Sequence, residues 1–151
     1  MDVDGTLTDG KIYIGNEGEV MKAFNIKDGC GIHDLLLPAG IIPVIITGRK
    51  SNILVNRCKE IGIKELFQGI RDKLSELRLF IAKSSFDMSQ VAYIGDDIND
   101  LDCMYAVKKS GGLIGCPADA VEQVKSIADY KCNKNGGDGA VREFIEYLIN
   151  K

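Results

Sequence analysis

The chain opens with two aspartates one residue apart, Asp2 and Asp4, in the stretch MDVDGTLTDG. Alternate residues of a strand point the same way, so two carboxylates at a strand end can approach one ligand. Such close anions repel each other unless a cation lies between them or one is protonated. The spacing therefore predicts a divalent metal site or two acids with divided roles. For a DxD pair alone, an ordinary turn is the alternative.

Further polar residues follow other strand-like runs. Thr47 ends the run PVIIT, and Asp96 and Asp97 follow the run VAYIG. In a doubly wound parallel sheet, ligands bind beyond the carboxyl ends of the strands. We therefore expect Asp2, Thr47 and Asp96 to meet at one edge of the sheet. GDD after a strand is also a common helix N-cap, so the prediction depends on the convergence of several motifs.

These residue types suit phosphoryl transfer. An all-oxygen cluster favours Mg²⁺. One carboxylate could attack phosphorus, and its neighbour two residues on could protonate the leaving oxygen and later activate water. Thr47, the Gly48 N–H and Lys73, which begins a helix-like stretch, could hold the phosphoryl oxygens.

The elements that must position these residues alternate along the chain. Strand-like runs lie at 43–47, 91–95 and 111–115, and helix-like stretches lie at 51–62, 72–83, 99–109, 118–128 and 139–150. This alternation predicts an α/β fold with a Rossmann-like, doubly wound parallel sheet. Residues 11–24 instead predict a β-hairpin around a Gly-Asn-Glu-Gly turn.

Bulk properties narrow the function class. A chain of 151 residues suits one domain, 1–151, and its net charge of −3 gives no basic patch for nucleic acid. Pro and Gly interrupt the longest apolar runs, which are too short to span a bilayer. The five cysteines are widely spaced, which favours reduced thiols in the cytoplasm. The single histidine, His33, argues against a multi-histidine site.

The motifs DVDGTLT, IITGR, Lys73 and GDDIND resemble the four motifs of the haloacid dehalogenase superfamily of phosphotransferases. The resemblance implies that Asp2 is the nucleophile and Asp4 the general acid and base. It also implies that Thr47 and Lys73 bind phosphate. An acid at position 4, rather than the threonine of the ATPase branch, favours a hydrolase.

The same resemblance implies a bound Mg²⁺ ion. The Asp2–Val3–Asp4 turn is expected to hold the ion from one side, with the Val3 carbonyl as a backbone ligand. Asp96 is expected to hold it from the other side.

Longer stretches, among them DGKIYIGNEGEVMKAFNIKDGCGI and GGDGAVREF, resemble a capless subfamily that acts on sugar acid phosphates. The implied substrate is 3-deoxy-D-manno-octulosonate 8-phosphate, in lipopolysaccharide sugar biosynthesis. A nine-carbon, sialic-type sugar acid 9-phosphate, a broader range of phosphomonoesters and a non-catalytic assembly role beside a cytidylyltransferase are the alternatives. Only 42 residues separate Asp4 from Thr47, and 22 separate Lys73 from Asp96, which leaves no room for a cap domain.

Several residues are candidates for binding the sugar acid. Arg49 could bind its carboxylate through paired hydrogen bonds, or it could be a surface charge. The resemblance adds Arg142, Lys27 and Asp28. Alternatively, Arg142 could pair with a glutamate of its own helix, and Asp28 could cap a helix.

The resemblance also implies a homotetramer. In it, the hairpins gather at the centre and a neighbouring subunit covers each site. The apolar residues of the hairpin, Ile12, Ile14, Val20 and Phe24, would be a liability if they were exposed in a monomer.

One departure from the resembling family concerns the central strand. The family has about five apolar residues before the first acid, whereas this sequence begins one residue before Asp2. The lack of a buried strand should cost several kcal/mol, so we expect the sequence to be a trimmed portion of a longer chain. The alternative is a protein that lacks the strand and is poorly stable.

Overall fold

A computed structural model describes all 151 residues. The chain begins with a short turn and the hairpin, and strands then alternate with helices. The elements are β1 (Tyr13–Gly15), β2 (Gly18–Met21), α1 (Ile26–Cys30), a π-helical turn (Gly31–Leu36), β3 (Val44–Thr47), α2 (Asn52–Glu60), β4 (Glu65–Gln68), α3 (Lys73–Lys83), β5 (Ala92–Ile94), α4 (Leu101–Lys109), β6 (Leu113–Cys116), α5 (Glu122–Ile127), β7 (Tyr130–Lys131) and α6 (Ala140–Ile149).

The parallel strands form two groups that the first two residues join. β3 pairs with β4, while β5 pairs with β6 and β6 with β7. The Met1 ammonium donates to the Val44 carbonyl at 2.8 Å, and Ile46 N donates to the Met1 carbonyl at 3.1 Å. On the other side, Asp2 N donates to the Ile94 carbonyl at 3.2 Å. The spatial order is therefore β4, β3, residues 1–2, β5, β6 and β7.

Helices cover both faces of this sheet. Successive strand residues point to opposite faces, so Ile45 packs with α2, α6 and the π-helical turn, while Ile46 packs with α3, α4 and α5. The α/β prediction of a doubly wound parallel sheet is confirmed. Between Asp4 and Thr47 lie only the hairpin β1–β2, α1 and the π-helical turn, so no cap domain is present.

An apolar cleft separates β3 from β5 beyond Met1. It has a volume of about 350 Å³, and 18 of its 21 lining residues are hydrophobic. Val44 and Ile46 line one wall and Ala92 and Ile94 the other, while residues of α3 and α6 close the two faces. Met1 and Asp2 bridge the two strand groups, and the cleft separates the groups beyond these two residues.

The elements differ from the sequence prediction in several places. β4, β7 and α1 were not predicted, because each is short and shows no clear apolar period. The predicted helix at 118–128 begins only at Glu122. Before it, Ala118 N donates to the Lys134 carbonyl and Val121 N to the Asp96 carbonyl, both at 2.9 Å, so these amides serve tertiary contacts.

Two bulk predictions can be compared with the fold. All five cysteines are free, as expected. No helix combines the length and apolar character that crossing a bilayer requires.

Candidate active site

Three carboxylates meet at the carboxyl ends of the central strands. Asp2 follows Met1 in the middle of the sheet, and Asp96 and Asp100 follow β5. One oxygen from each of Asp2, Asp96 and Asp100 lies within 4.8 Å of the others. The convergence of Asp2 and Asp96, expected from the ends of two strand-like runs, is present in the structure.

Lys73 provides the positive charge of this cluster. Its Nζ lies 2.9 Å from Asp2 Oδ1 and 2.9 Å from Asp100 Oδ1, and its side chain is only 2% exposed. Burial alone lowers the pKa of Lys73, but the charges of Asp100 and Asp2 outweigh burial and raise it. The first residue of α3 is therefore a protonated lysine beside the Asp2 carboxylate.

Asp100 is fully occupied by hydrogen bonds. Its Oδ1 accepts from Lys73 Nζ and from the Tyr93 hydroxyl at 2.7 Å, and its Oδ2 accepts from Asp96 N at 3.1 Å. The residue has no solvent exposure. Asp100 thus balances the charge of Lys73 and holds the Asp96 backbone, rather than facing a ligand.

The negative charges of Asp2 and Asp96 are less fully compensated by hydrogen bonds and cations than that of Asp100. Asp96 accepts one hydrogen bond, from the Thr6 hydroxyl to Oδ1 at 2.8 Å. The pKa of Asp96 is raised to about 7, mainly by burial. The charges of neighbouring acids also raise it, and the hydrogen bond from Thr6 offsets only part of the increase. Burial and the Asp100 charge also raise the pKa of Asp2, against the influence of Lys73. Two under-compensated carboxylates side by side fit a hard divalent cation such as Mg²⁺.

Gly5 makes this cluster possible. Its φ is +99°, and a Cβ at this position would lie 2.0 Å from Asp96 Oδ2. The first turn can therefore approach Asp96 only because residue 5 has no side chain.

We expect Gly5→Ala to lower metal affinity by about 10- to 100-fold, because Asp96 must move. Gly18 is the matched control, since its φ is +113° but nothing lies within 4 Å of its missing Cβ. Gly18→Ala should cost only the backbone strain, about 1–2 kcal/mol of unfolding free energy, with activity retained. Titration calorimetry with Mg²⁺ and thermal melts measure both effects. Equal losses of Mg²⁺ affinity in the two variants would contradict this explanation.

The predicted phosphate loop follows β3. Thr47 is buried at the strand end, Gly48 is exposed, and the Arg49 side chain is 40% exposed with a nitrogen 3.8 Å from Glu19 Oε1. Ile46 of β3 is hydrogen-bonded to Met1. Thr47, the next residue of β3, therefore lies beside Asp2. The loop is thus adjacent to the first acid.

The expected metal ligand at Val3 is wrong. Its carbonyl accepts hydrogen bonds from the backbone N–H groups of Thr6, Leu7 and Thr8 at 3.1, 2.8 and 3.0 Å. These bonds close the first turn and saturate the carbonyl oxygen. The turn geometry, which DxD spacing does not specify, is the reason for the error.

Asp28 and Arg142, which were predicted to contact the substrate, have partners within the protein. Asp28 is 1% exposed, and its Oδ1 accepts from Arg142 N at 2.8 Å, at the start of α6. The Arg142 side chain donates to Glu146 on its own helix at 2.6 Å. The alternatives, a helix cap and an intrahelical pair, are what the structure contains. Lys27 is exposed on α1.

A lysine of the hairpin, which the sequence analysis missed, reaches the second acid. Lys22 forms an ion pair with Asp4 Oδ1, and its side chain is 2% exposed. Lys22 follows β2, and only the path of the hairpin brings it to Asp4. No periodicity or motif in the sequence signals this contact.

The glycine-rich segment before α6 packs against the first turn. Gly137 N donates to the Thr6 carbonyl at 3.1 Å, and Gly136 N donates to Asp119 Oδ1 at 2.9 Å. A Cβ on Gly136 would lie 1.8 Å from the Gly5 carbonyl oxygen. The segment thus supports the turn that carries both acids.

Known proteins resemble this chain over almost its whole length. The chain is 43% identical over 149 residues to the 3-deoxy-D-manno-octulosonate 8-phosphate phosphatase KdsC of Salmonella typhi, covering 99% of this chain and 77% of the relative. The crystal structure of the same phosphatase from Yersinia pestis superposes with a TM-score of 0.92 at 42% identity, covering 99% and 78% of the two chains. That of Moraxella catarrhalis, in complex with magnesium, phosphate and KDO, has a TM-score of 0.91 at 41% identity, covering 99% and 83%. No family model matches the chain.

Proposed function

The chain belongs to the 3-deoxy-D-manno-octulosonate 8-phosphate phosphatase family of the haloacid dehalogenase superfamily, and from this membership we propose that it removes phosphate from 3-deoxy-D-manno-octulosonate 8-phosphate. The observation that carries the proposal is the cluster of Asp2, Asp96 and Lys73 at the carboxyl edge of the sheet. The reaction would supply the free sugar acid for lipopolysaccharide biosynthesis.

The geometry supports a two-step hydrolysis. An oxygen of Asp2 attacks phosphorus, and the bond from phosphorus to the sugar oxygen breaks, which leaves an aspartyl-phosphate. Asp4 gives a proton to the leaving oxygen. Asp4 then takes a proton from water as the water oxygen attacks phosphorus, and Asp2 is released. Lys73 and the loop of Thr47 and Gly48 hold the phosphoryl oxygens.

Mg²⁺ is the cofactor that fits the donor set. Asp2 and Asp96 would hold it, and Asp4 contributes from the same turn. Its backbone carbonyl, unlike that of Val3, accepts no hydrogen bond. When bound, the ion neutralises charge between the carboxylates and the phosphoryl group.

The sugar acid carboxylate requires a cation outside the phosphate site. Arg49 is partly exposed within the phosphate loop, and Lys27 is exposed on α1. We assign the carboxylate contact to Arg49, because a guanidinium binds a carboxylate through two parallel hydrogen bonds. Lys27 is the second candidate.

Phosphate release from the eight-carbon ester tests the proposal. With Mg²⁺ we expect turnover of 3-deoxy-D-manno-octulosonate 8-phosphate, higher kcat/KM than for a nine-carbon sugar acid 9-phosphate, and none after chelation with EDTA. Higher kcat/KM for the nine-carbon ester would reassign the substrate. No release from any ester by folded protein would overturn the phosphatase proposal and favour an assembly role.

We also propose that the protein acts as a cytoplasmic homotetramer assembled through its hairpins. The support is the exposure of apolar side chains there, at 46% for Ile12, 63% for Ile14, 62% for Val20 and 49% for Met21. Phe24, expected to be exposed, instead packs against the core beneath Arg57. The free cysteines support a reducing compartment.

We expect Ile14→Lys to convert the tetramer to smaller species in sedimentation velocity, because it places a charge in an apolar contact. Activity should fall with it, because each site loses its neighbouring subunit. Leu79→Lys is the matched control, since Leu79 is 53% exposed on α3, away from the hairpin. A parent protein that sediments as a monomer would contradict the assembly.

A further inference from the structure

Each of the two acids of the first turn forms an ion pair with a lysine. Lys73 contacts Asp2, whereas Lys22 contacts Asp4. The Lys22 ammonium pairs with Asp4 Oδ1, and no protein group donates to Asp4 Oδ2. One Asp4 oxygen is thus fixed by the hairpin and the other is free.

Lys22 is itself held from a second side. Its Nζ lies 3.2 Å from Glu19 Oε1, and Glu19 Oε2 accepts a hydrogen bond from the Ser51 hydroxyl. Ser51 caps the N-terminus of α2, directly after the loop of residues 48–50. A chain of polar contacts therefore joins Asp4, through two hairpin residues, to the end of the phosphate loop.

The residues of this chain of polar contacts are largely buried, which restricts their geometry. The Lys22 side chain is 2% exposed and the Glu19 side chain 12% exposed. A buried ammonium is stable only while carboxylates surround it, so Lys22 keeps both partners. By contrast, Lys11 on the same hairpin is 71% exposed and pairs only with Asp9.

We propose that Lys22 is a positioning residue: it fixes the Asp4 carboxylate so that its free oxygen can exchange a proton with the leaving group, while Glu19 fixes Lys22. The inference rests on the proposed phosphatase activity, in which Asp4 is the acid. Proton transfer requires the carboxyl group within hydrogen-bond reach of the leaving oxygen. An aspartate without this anchor would sample other rotamers and spend less time in reach.

The test compares two leaving groups. The sugar alkoxide needs a proton to leave, whereas p-nitrophenolate leaves without one. In single-turnover measurements with Mg²⁺, we expect Lys22→Met to slow alcohol release from the sugar acid phosphate by about 10- to 100-fold. Nitrophenol release from p-nitrophenyl phosphate should fall less than about threefold, since general-acid help is not needed there. KM for the sugar ester should stay within about twofold, because the Lys22 side chain is buried and paired with Asp4 and Glu19.

Further variants separate positioning from folding. Lys22→Arg should restore most of the rate, and Glu19→Gln should give a smaller, equally leaving-group-dependent loss. Lys11→Met should match the parent. If Lys22→Met does not fold, as judged by circular dichroism, Glu19→Gln provides the same comparison, with Lys22→Arg as its control.

The outcomes are distinct. Equal slowing of both esters, or no slowing of either, would overturn the role of Lys22. A parent protein that hydrolyses neither ester would overturn the proposed function instead. A parent that hydrolyses only the aryl ester would overturn the proposed sugar acid substrate, which is again a failure of the proposed function and not of the role of Lys22.

Discussion

Asp2→Asn is expected to abolish phosphate release, by a factor on the order of 10³ or more, because the amide cannot attack phosphorus. The loss should appear in kcat and persist at saturating Mg²⁺ and substrate. A phosphoenzyme trapped with acid in the parent protein should be absent from the variant.

The same substitution should change stability little. Asp2 is 4% exposed, and burial together with Asp100 raises its pKa, so its carboxylate is held at an electrostatic cost. Asparagine removes that charge, while Lys73 keeps its contact with Asp100. We expect the unfolding free energy to change by about 1 kcal/mol or less.

Asp9 provides the control for this prediction. It pairs with exposed Lys11, so Asp9→Asn should leave both activity and stability unchanged. Phosphate release by Asp2→Asn at the parent rate would exclude Asp2 as the nucleophile. A large fall in its unfolding free energy would show that its carboxylate stabilises the fold.

Lys73→Met should have a large effect on both activity and stability. It removes the one cation that contacts both Asp2 and Asp100, and leaves two buried carboxylates without it. Breaking a buried pair in this way typically costs about 3–5 kcal/mol of unfolding free energy. Loss of the cation that we propose holds the phosphoryl oxygens should lower kcat by about 10²–10³-fold.

A double variant separates the two effects. In Lys73→Met/Asp100→Asn the residual buried charge is reduced, so unfolding free energy should recover in part, while activity should not. Lys83→Met, at the exposed end of the same helix, is the control. Recovery of activity in the double variant would show that Lys73 acts only by neutralising Asp100.

The position of the site could be predicted from the sequence because parallel strands impose it. Thr47 ends an apolar run and Asp96 follows one, and right-handed crossovers bring the carboxyl ends of such strands to one edge. Asp2, which leads the opening motif, lies between them. The helices that cover the sheet could also be predicted from their apolar periodicity, apart from short elements such as α1.

The contacts that could not be predicted depend on local turns or on distant segments. The Val3 carbonyl is consumed by a tight turn whose hydrogen bonds are not encoded in DxD spacing. Asp28 caps a helix that begins 112 residues later in the chain, at Ala140. Lys22 reaches Asp4 only through the path of the hairpin. Sequence patterns report which face of an element is apolar, and they are silent on such long-range polar pairing.

The packing of the glycine-rich segment on the first turn links the site to the last helix. A Cβ on Gly136 would lie 1.8 Å from the Gly5 carbonyl oxygen, and Gly137 N donates to the Thr6 carbonyl at 3.1 Å. Because α6 begins directly after this segment, a displacement of α6 would also shift the turn that carries Asp2 and Asp4.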